Sequence, residues 1–306
     1  MLTPDLDNVR KTLKRYPFPV DVIVEVTATC NLKCIMCPQK SITREKGEMS
    51  FSIFKIIADE VAKENPSTRI WLAIMGEPLL LGEKLINMVE YAKNSGIKSV
   101  NLNTNGLLLT PDISDRLIDI ELDYVIFGVD AFKRETYEKI RIGGDFNKLY
   151  KNIEYMIESK KKRNSPLPHL ILQYIVMDEN ERELEEFKNY WLNKGQIVKI
   201  RPKLGWGKGV KADNLNLPDS ERDFPCSWLT RTVSIHWNGK FAQCDADYDG
   251  KYSPGDLLSS SIKELWQGEL AKRREKHWNL DFTHDLCSEC KDWQAGRSIF
   301  IYPPEK

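Results

Sequence analysis

Three cysteines stand close together in the segment VTATCNLKCIMCPQK, which covers residues 26–40. Cys30, Cys34 and Cys37 have the spacing C-x3-C-x2-C, whereas zinc sites more often combine two C-x2-C halves into four ligands. Thiolates are also the usual ligands of iron–sulfur clusters. Three thiolates on a cubane cluster would leave one iron open to bind a substrate or a cofactor. The alternative is a zinc or structural site that a distant ligand completes.

The other four cysteines all lie in the last third of the chain, at Cys226, Cys244, Cys287 and Cys290. Four thiolates close a metal site, so this group would have no open position for a substrate. A closed iron–sulfur cluster transfers electrons, and a zinc site with four cysteine ligands is the alternative. The two groups account for all seven cysteines, and an odd number argues against a fully paired disulfide framework.

Apolar β-like segments alternate with amphipathic helix-like segments through the first two thirds of the chain. Repeated β-then-α units predict a parallel sheet or barrel, and six units are too few for a closed eight-strand barrel. We therefore predict an α/β fold with a partial (β/α)6 TIM-like barrel, whose first cysteine group follows strand one at the edge where such folds build sites. The predicted strands cover residues 20–27, 69–75, 98–106, 123–131, 168–177 and 197–202, and the predicted helices cover 50–65, 83–96, 111–120, 146–163 and 181–195.

The alternation stops after residue 202. Residues 203–223 contain Gly, Asp and Pro and predict a loop or linker. Asn238-Gly239 lies between two alternating runs in residues 232–244, which predicts a β-hairpin. Residues 261–278 predict a helix, and an irregular tail with two cysteines follows it.

Composition excludes several classes of partner. The 306 residues have a formal net charge of zero, so we do not expect a nucleic-acid partner. No stretch approaches the roughly 18 consecutive apolar residues that a membrane span requires. The N-terminal segment also lacks the apolar region of a signal peptide. We therefore expect a cytoplasmic protein with no membrane partner.

The first cysteine group, in the loop after strand one of a β/α chain, resembles the radical SAM superfamily. This resemblance implies a 4Fe–4S cluster on Cys30, Cys34 and Cys37, whose open iron chelates the amino and carboxylate groups of S-adenosyl-L-methionine (SAM). It also implies an electron donor of the flavodoxin or ferredoxin type. Reduction of the cluster would split SAM into methionine and a 5′-deoxyadenosyl radical, which abstracts a hydrogen atom from the substrate.

Two short motifs extend the resemblance. Gly76, Glu77 and Pro78, after the second strand, resemble the GGE-type motif whose backbone carbonyls and acid hold the SAM ammonium group. Thr104 and Asn105, in a Thr-Asn-Gly sequence after the third strand, match a TNG motif of the same family. The alternative for both motifs is an ordinary turn after a strand.

Three single positions complete the SAM site that the resemblance implies. Asp130 stands where the family often has Ser-x-Asp facing the ribose, although Gly128 replaces the serine. Arg141 resembles an arginine that pairs with the SAM carboxylate, and the alternative is a solvated charge at a helix end. Met36 takes a position that is often aromatic in the family, where its thioether would lie against adenine.

The C-terminal part, with Gly239 and Cys244 in the spacing G-x4-C, resembles the SPASM/twitch extension of radical SAM enzymes. A full SPASM domain has seven cysteines and two auxiliary clusters, so four cysteines imply the shorter, twitch-like form with one fully ligated 4Fe–4S cluster. The spacing of 17 residues between Cys226 and Cys244 is similar to that of the 2-deoxy-scyllo-inosamine dehydrogenases, which oxidise an aminocyclitol alcohol to a ketone. We accordingly divide the chain into an N-terminal extension (1–19), a barrel (20–202) and a twitch/SPASM-like domain of a hairpin and a helix (203–306).

The resemblance implies a dehydrogenase that acts on a polar small molecule, a sugar or cyclitol alcohol, with the auxiliary cluster as electron acceptor. Arg201 would orient the substrate or stabilise charge, Gln173 would hold its polar groups, and Lys203 is a further candidate at the barrel mouth. A surface charge for Lys203 and a buried structural amide for Gln173 are the alternatives. The sequence identifies no general base. A peptide maturase and a sugar epimerase are alternative functions, against which the short segment before strand one and the lack of a spare cysteine count.

Overall fold

A computed structural model of the chain describes residues 6–212, 222–295 and 298–304. Within these residues the β-strands form one sheet in the order β8-β7-β1-β2-β3-β4-β5-β6-β9. Strands β1 to β6 are parallel and follow chain order, which confirms the predicted α/β class and partial barrel. The strands are β1 (Asp21–Val24), β2 (Arg69–Leu72), β3 (Val100–Thr104), β4 (Tyr124–Gly128), β5 (His169–Val176), β6 (Ile197–Pro202), β7 (Thr232–Ile235), β8 (Phe241–Ala242) and β9 (Ile299–Ile301).

The helices predicted between the barrel strands are all present, with slightly different ends. The first of them begins after Ser50, whose hydroxyl accepts a hydrogen bond from the Ile53 N–H at 3.2 Å as an N-cap. The α-helices are α1 (Leu6–Thr12), α2 (Phe51–Glu64), α3 (Glu83–Asn94), α4 (Pro111–Asp119), α5 (Arg134–Ile140), α6 (Phe146–Lys162), α7 (Leu184–Asn193), α8 (Ser227–Arg231), α9 (Ile262–Gln267), α10 (Glu269–Trp278) and α11 (Asp292–Ala295), and short 3-10 helices cover Pro38–Ser41, Pro78–Leu81 and Glu181–Glu183.

The single helix predicted over residues 261–278 is wrong, because two helices meet there at Gly268. Gly268 leaves the helical conformation with φ −95° and ψ −106°. A Cβ at this position would lie 2.7 Å from the Glu264 carbonyl oxygen, so only glycine fits without a shift. The sequence also does not predict α1 and α5, which are short helices with little periodic pattern.

Side chains alternate along each barrel strand between an outer face under the helices and an inner face. The outer face carries buried aliphatic residues such as Val22, Leu72 and Val125, which belong to the main hydrophobic core. Because this apolar face holds the sheet to the helices, the inner face can carry polar groups. Gln173 on β5 and Lys199 on β6 are two such inward residues.

The C-terminal part of the chain extends both edges of the barrel sheet. At one edge β7 pairs in parallel with β1 and antiparallel with β8, and Gly239 at φ +86° allows the predicted hairpin turn. At the other edge β9 pairs antiparallel with β6 and places Phe300 opposite Lys199. The sequence does not predict β9, because three residues carry too little pattern and their pairing with β6 decides their conformation.

Two further expectations concern the connecting segments. Residues 203–212 form turns without a helix or strand, as expected for a loop, and residues 213–221 of that predicted loop lie outside the described residues. No helix in the described part of the chain is both long and apolar enough to cross a membrane.

Candidate active site

A cavity of about 930 Å³ occupies the interior of the barrel. Its walls combine the loops after the first three strands with the inner faces of β4, β5 and β6. The structure therefore brings residues from separate sequence motifs into one space. The predicted site residues that line this cavity are Cys30, Cys34, Met36, Cys37, Gly76, Glu77, Thr104, Asn105, Arg141, Gln173 and Arg201, whereas Pro78, Asp130 and Lys203 do not line it.

The loop of the first cysteine group is held against the C-terminal end of α5 and the residues that follow it. Two backbone hydrogen bonds of 3.0 Å join the N–H groups of Lys33 and Ile35 to carbonyls in residues 140–142. Burial raises the pKa of Cys30 to about 11 and the pKa of Cys37 to about 12. Thiols this buried keep their protons unless cations replace them, and iron ions would do so. These three cysteines are therefore better suited to bind a metal cluster than to act as reactive free thiols.

Glu77 connects two of the predicted SAM motifs. Its carboxylate accepts hydrogen bonds from Thr104 Oγ1 at 2.6 Å, from the Asn105 N–H at 2.7 Å and from the Leu79 N–H at 3.1 Å. Burial raises the pKa of Glu77, while these donors favour its charged form. The two motifs, recognised separately in the sequence, thus form one hydrogen-bonded unit. Pro78 has a local role instead, because it begins a 3-10 helix and is buried away from the cavity.

Asp130 does not line the cavity, and its predicted ribose contact stays a prediction. It is fully buried, Arg141 donates to its Oδ2 from Nε at 3.0 Å and from Nη2 at 2.5 Å, and the Ile175 N–H donates to its Oδ1 at 2.7 Å. Because its Oδ2 accepts both of these guanidinium hydrogen bonds, Asp130 orients Arg141.

Arg141 is a buried cation and not a solvated charge at a helix end. Burial disfavours its charged form, but the neighbouring Asp130 carboxylate raises the pKa of Arg141 above its usual value. Its Nη1 lies 3.8 Å from Cys34 Sγ, beside the first cysteine group. This position is compatible with the predicted contact to the SAM carboxylate.

Gly128→Ala should weaken SAM binding about tenfold or more and lower the stability of the fold. A Cβ at Gly128 would lie 2.2 Å from Arg141 Nη2, so alanine or serine at this position would require the guanidinium to move. Moving Arg141 would break its buried ion pair with Asp130, and such a loss costs about 3–5 kcal/mol. Urea unfolding of the apoprotein and equilibrium SAM binding to the reconstituted protein would measure the two effects.

The matched control for Gly128→Ala is the same substitution combined with Arg141→Met. In that background the added Cβ no longer meets a guanidinium, so Gly128→Ala should add little further loss. An equal effect in both backgrounds would contradict the assigned role of the glycine.

The loop after β6 connects the two cysteine groups. Trp206 lines the cavity, and its Nε1 donates to the Met36 carbonyl at 3.2 Å. The neighbouring Gly205 N–H donates to Asp292 Oδ1 at 2.7 Å, and Asp292 follows Cys290 by two residues. Contacts from this single loop therefore reach both the predicted adenine side of the cavity and the second cysteine group.

The four cysteines of the second group lie close to one another. Burial, and then the charges of Cys226, Cys290 and Cys287, raise the pKa of Cys244 well above its usual value. Among the described residues, no three Cys, His, Asp or Glu side chains are close enough together to hold a single metal ion. A zinc ion needs each thiolate within about 2.3 Å of one point. The number and type of these thiols also fit a 4Fe–4S cluster.

The predicted substrate-contact residues are Gln173 on β5, Arg201 on β6 and Lys203 after β6. Arg201 and Gln173 line the cavity, but Lys203 lies outside it because β6 ends at Pro202 and the strand alternation does not continue. The inward lysine of β6 is Lys199, which shares the face of Arg201. Burial and the charge of Arg201 lower the pKa of Lys199 to about 7. Counting the strand period back from Arg201 would have identified Lys199.

Asp245 is a cavity residue that sequence reasoning missed. It directly follows Cys244, lines the cavity, and accepts a hydrogen bond from Ser234 Oγ at 2.5 Å. Burial raises the pKa of Asp245. Its position next to a predicted cluster ligand could have identified Asp245 as a candidate. No local sequence pattern, however, shows that its side chain points into the barrel.

A sequence profile of the radical SAM superfamily matches residues 24–190, which is more than half of the chain. This chain belongs to the radical SAM superfamily. A second profile, SPASM, an iron–sulfur cluster-binding domain, matches residues 226–291 and includes all four cysteines of the second group. Both family assignments from the sequence are confirmed.

Known relatives show how far the likeness extends. This radical SAM protein is 28% identical over 176 residues to the tungsten-containing aldehyde ferredoxin oxidoreductase cofactor-modifying protein of Pyrococcus furiosus, across 56% of this chain and 48% of that one. The chain spans about half the length of the curated relatives it matches.

Two solved structures share the fold. BtrN in complex with AdoMet and 2-DOIA has a TM-score of 0.60 at 17% identity, covering 89% of this chain and 92% of BtrN. Streptococcus suis SuiB bound to precursor peptide SuiA has a TM-score of 0.69 at 14% identity, covering 85% of this chain and 67% of SuiB. At such identities the likeness shows the fold alone.

The cofactors of this radical SAM protein are SAM and two 4Fe–4S clusters, which its two domains imply. The residues present fit these groups, because free thiols, buried or half-buried, are grouped in a set of three inside the barrel and a set of four beside it. Cys30, Cys34 and Cys37 remain the predicted ligands of the SAM-binding cluster. Cys226, Cys244, Cys287 and Cys290 remain those of the auxiliary cluster.

Proposed function

We propose that this radical SAM enzyme is a dehydrogenase that oxidises an alcohol of a polar small molecule, a sugar or a cyclitol, to a ketone. The observation that carries the proposal is Asp245, an enclosed carboxylate in the same cavity as the first cysteine group. Forming a ketone removes a hydrogen atom, a proton and an electron from one carbinol. A base must therefore lie near an electron acceptor, and Asp245 is the covalent neighbour of Cys244.

When bound, SAM and its cluster would supply the radical that removes the carbinol hydrogen, and the auxiliary cluster would accept the remaining electron. The protein itself must supply a base that accepts the hydroxyl proton of the substrate. Ser234 occupies Oδ1 of Asp245, which leaves Oδ2 to accept that proton. Burial raises the pKa of Asp245 towards the range of an effective general base, and the charge of Arg201 counteracts this rise and favours the ionised form.

Two further observations support a small substrate. The cavity of about 930 Å³ must accommodate SAM in addition to the substrate, and it is of the size usual for small-molecule sites. BtrN, whose structure contains 2-DOIA, matches this chain over 92% of its length. We also propose a cytoplasmic location with an electron donor of the flavodoxin or ferredoxin type, because cluster ligands need a reducing compartment.

Asp245→Asn tests the proposal. We expect the variant to form 5′-deoxyadenosine with a responsive alcohol, but to form ketone about 100-fold more slowly or worse, because an amide cannot accept the proton. The assay uses anaerobically reconstituted enzyme and a panel of cyclitols and sugars that begins with 2-deoxy-scyllo-inosamine. Product formation is followed by mass spectrometry.

The matched control is Asp285→Asn, because Asp285 is exposed and lies outside the cavity. This variant should behave as the wild type does. Unchanged ketone formation by Asp245→Asn would remove Asp245 from the mechanism. Turnover of a peptide, and of none of the alcohols, would contradict the proposed function itself.

A further inference from the structure

Two cationic side chains face the cavity without a protein anion to balance them. Lys199 and Arg201 lie on the inner face of β6, enclosed by the protein and open to the cavity. Among the described residues, neither side chain has a carboxylate oxygen within 4.0 Å or donates a hydrogen bond. An unpaired charge in an enclosed site is strongly unfavourable. With both side chains charged, this arrangement therefore needs a source of negative charge.

The nearby carboxylates do not supply that charge by contact. Asp245 acts on both cations electrostatically, but it is hydrogen-bonded to Ser234. Asp130 and Asp292 act on Arg201 from further away, and they are bound to Arg141 and to the loop after β6, respectively. With Asp245 ionised and Lys199 protonated, the two cations exceed the one carboxylate by one positive charge. Because burial and the charge of Arg201 lower the pKa of Lys199 to about 7, an anion bound in the cavity would favour the protonated form of Lys199.

We propose that Lys199 and Arg201 form a subsite for an oxyanion group of the substrate, a carboxylate or a phosphate. This inference rests on the proposed function, because it describes one part of the same substrate. Residues two apart on one strand face have Cα atoms about 7 Å apart, a span that two long side chains close readily around one oxyanion.

Two neutral side chains complete the subsite. Gln173 is paired with Lys199 in the β5–β6 register, and its buried Oε1 has no hydrogen-bond partner among the described residues. It could therefore bind a hydroxyl next to the anionic group. On the other side the Phe300 ring lies 5.8 Å from Lys199 Nζ, so β9 forms the opposite wall. The subsite is thus built from three neighbouring strands.

The alternative ligand of Lys199 and Arg201 is the carboxylate of SAM. Its predicted partner is Arg141, which lies beside Cys34 and is held there by Asp130. Lys199 and Arg201 belong to a different wall of the cavity, on β6. If Arg141 binds the SAM carboxylate, substitutions of Lys199 and Arg201 should leave SAM binding intact and weaken the binding of a second anion.

The test is anion binding to anaerobically reconstituted full-length protein with saturating SAM. Inorganic phosphate is titrated in one arm and acetate in the other, which separates the two sources of the oxyanion. We expect Lys199→Met and Arg201→Met each to weaken binding of the preferred anion about tenfold or more, as the loss of a charge-assisted hydrogen bond does. Lys203→Met, which removes a charge outside the cavity, is the matched control and should bind as the wild type does.

A second measurement keeps the test informative if binding of a small probe is weak. Without added anion, Lys199→Met should unfold at a temperature equal to or above that of the wild type, because it removes an unbalanced buried charge. Its SAM affinity should be unchanged. A clear loss of thermal stability, a parallel loss of SAM affinity, or equal anion affinity in wild type and both variants, including no binding by any of them, would overturn the subsite. None of these outcomes involves ketone formation, so they leave the dehydrogenase proposal to the Asp245 experiment.

Discussion

Cys226→Ala should lower the iron content from about eight to about four per chain and leave SAM cleavage intact, whereas Cys34→Ala should lose the other four irons and all cleavage. The reason is that the two cysteine groups hold separate clusters with different ligand counts. The first group leaves one iron open for SAM, and the second group, with four thiols near one another, leaves none. With a responsive alcohol, Cys226→Ala should also fail to form ketone because the electron acceptor is missing.

Iron and sulfide analysis, electron paramagnetic resonance of the reduced protein and 5′-deoxyadenosine formation measure these effects. The two variants serve as each other's control, since each removes one thiol from one group. Bound zinc with about four irons in the wild type would reverse the assignment of the second group. Normal ketone formation by Cys226→Ala would show that the auxiliary cluster is not the electron acceptor.

Gly76→Ala should destabilise the protein by about 3 kcal/mol or more and abolish measurable SAM binding. The added Cβ would lie 2.0 Å from the Thr27 carbonyl oxygen and 2.7 Å from its carbon. Both atoms belong to the backbone after β1, so no side-chain movement relieves the contact. The ends of β1 and β2 would separate, and Glu77, whose N–H donates to the Thr29 carbonyl at 2.9 Å, would leave its place in the cavity wall.

Urea unfolding of the apoprotein and SAM binding to the reconstituted protein measure the two losses. The matched control is Gly205→Ala, where the nearest atom to the new Cβ is 3.5 Å away and the change should stay within about 1 kcal/mol. Wild-type stability of Gly76→Ala would contradict the close approach of the two strand ends.

The function proposed here depends on what lies opposite the SAM site. The first cysteine group, Glu77 and Arg141 line the cavity, and they are the predicted SAM-site residues. Asp245, Lys199 and Arg201 stand on other walls of the cavity, and we propose that they contact the substrate. If both proposals hold, the substrate is an alcohol that also carries an oxyanion, with its carbinol near Asp245 and the anionic group at β6.

Much of the fold could be predicted because each barrel unit carries its own signal. Alternating apolar runs mark the parallel strands, and caps such as Ser50 mark helix starts, so these elements depend on residues close in sequence. The elements that the sequence does not predict are those without such a signal. Strand β9 is three residues long and depends on pairing with β6, and the break between α9 and α10 depends on how Gly268 packs.

The features of the candidate site also fall into those that the sequence predicts and those that it does not. The sequence by itself determined the cysteine triad, the Gly76-Glu77 turn and the family, because their chemistry lies in short spacings. Only the tertiary structure decided that Asp130 orients Arg141 across eleven residues, and that Gly128 is the gap in which that guanidinium lies. It also decided that Asp245 faces the same cavity as Lys199. The physical reason is that side-chain orientation and charge balance depend on strands that are distant in sequence, and these come together only when the sheet forms.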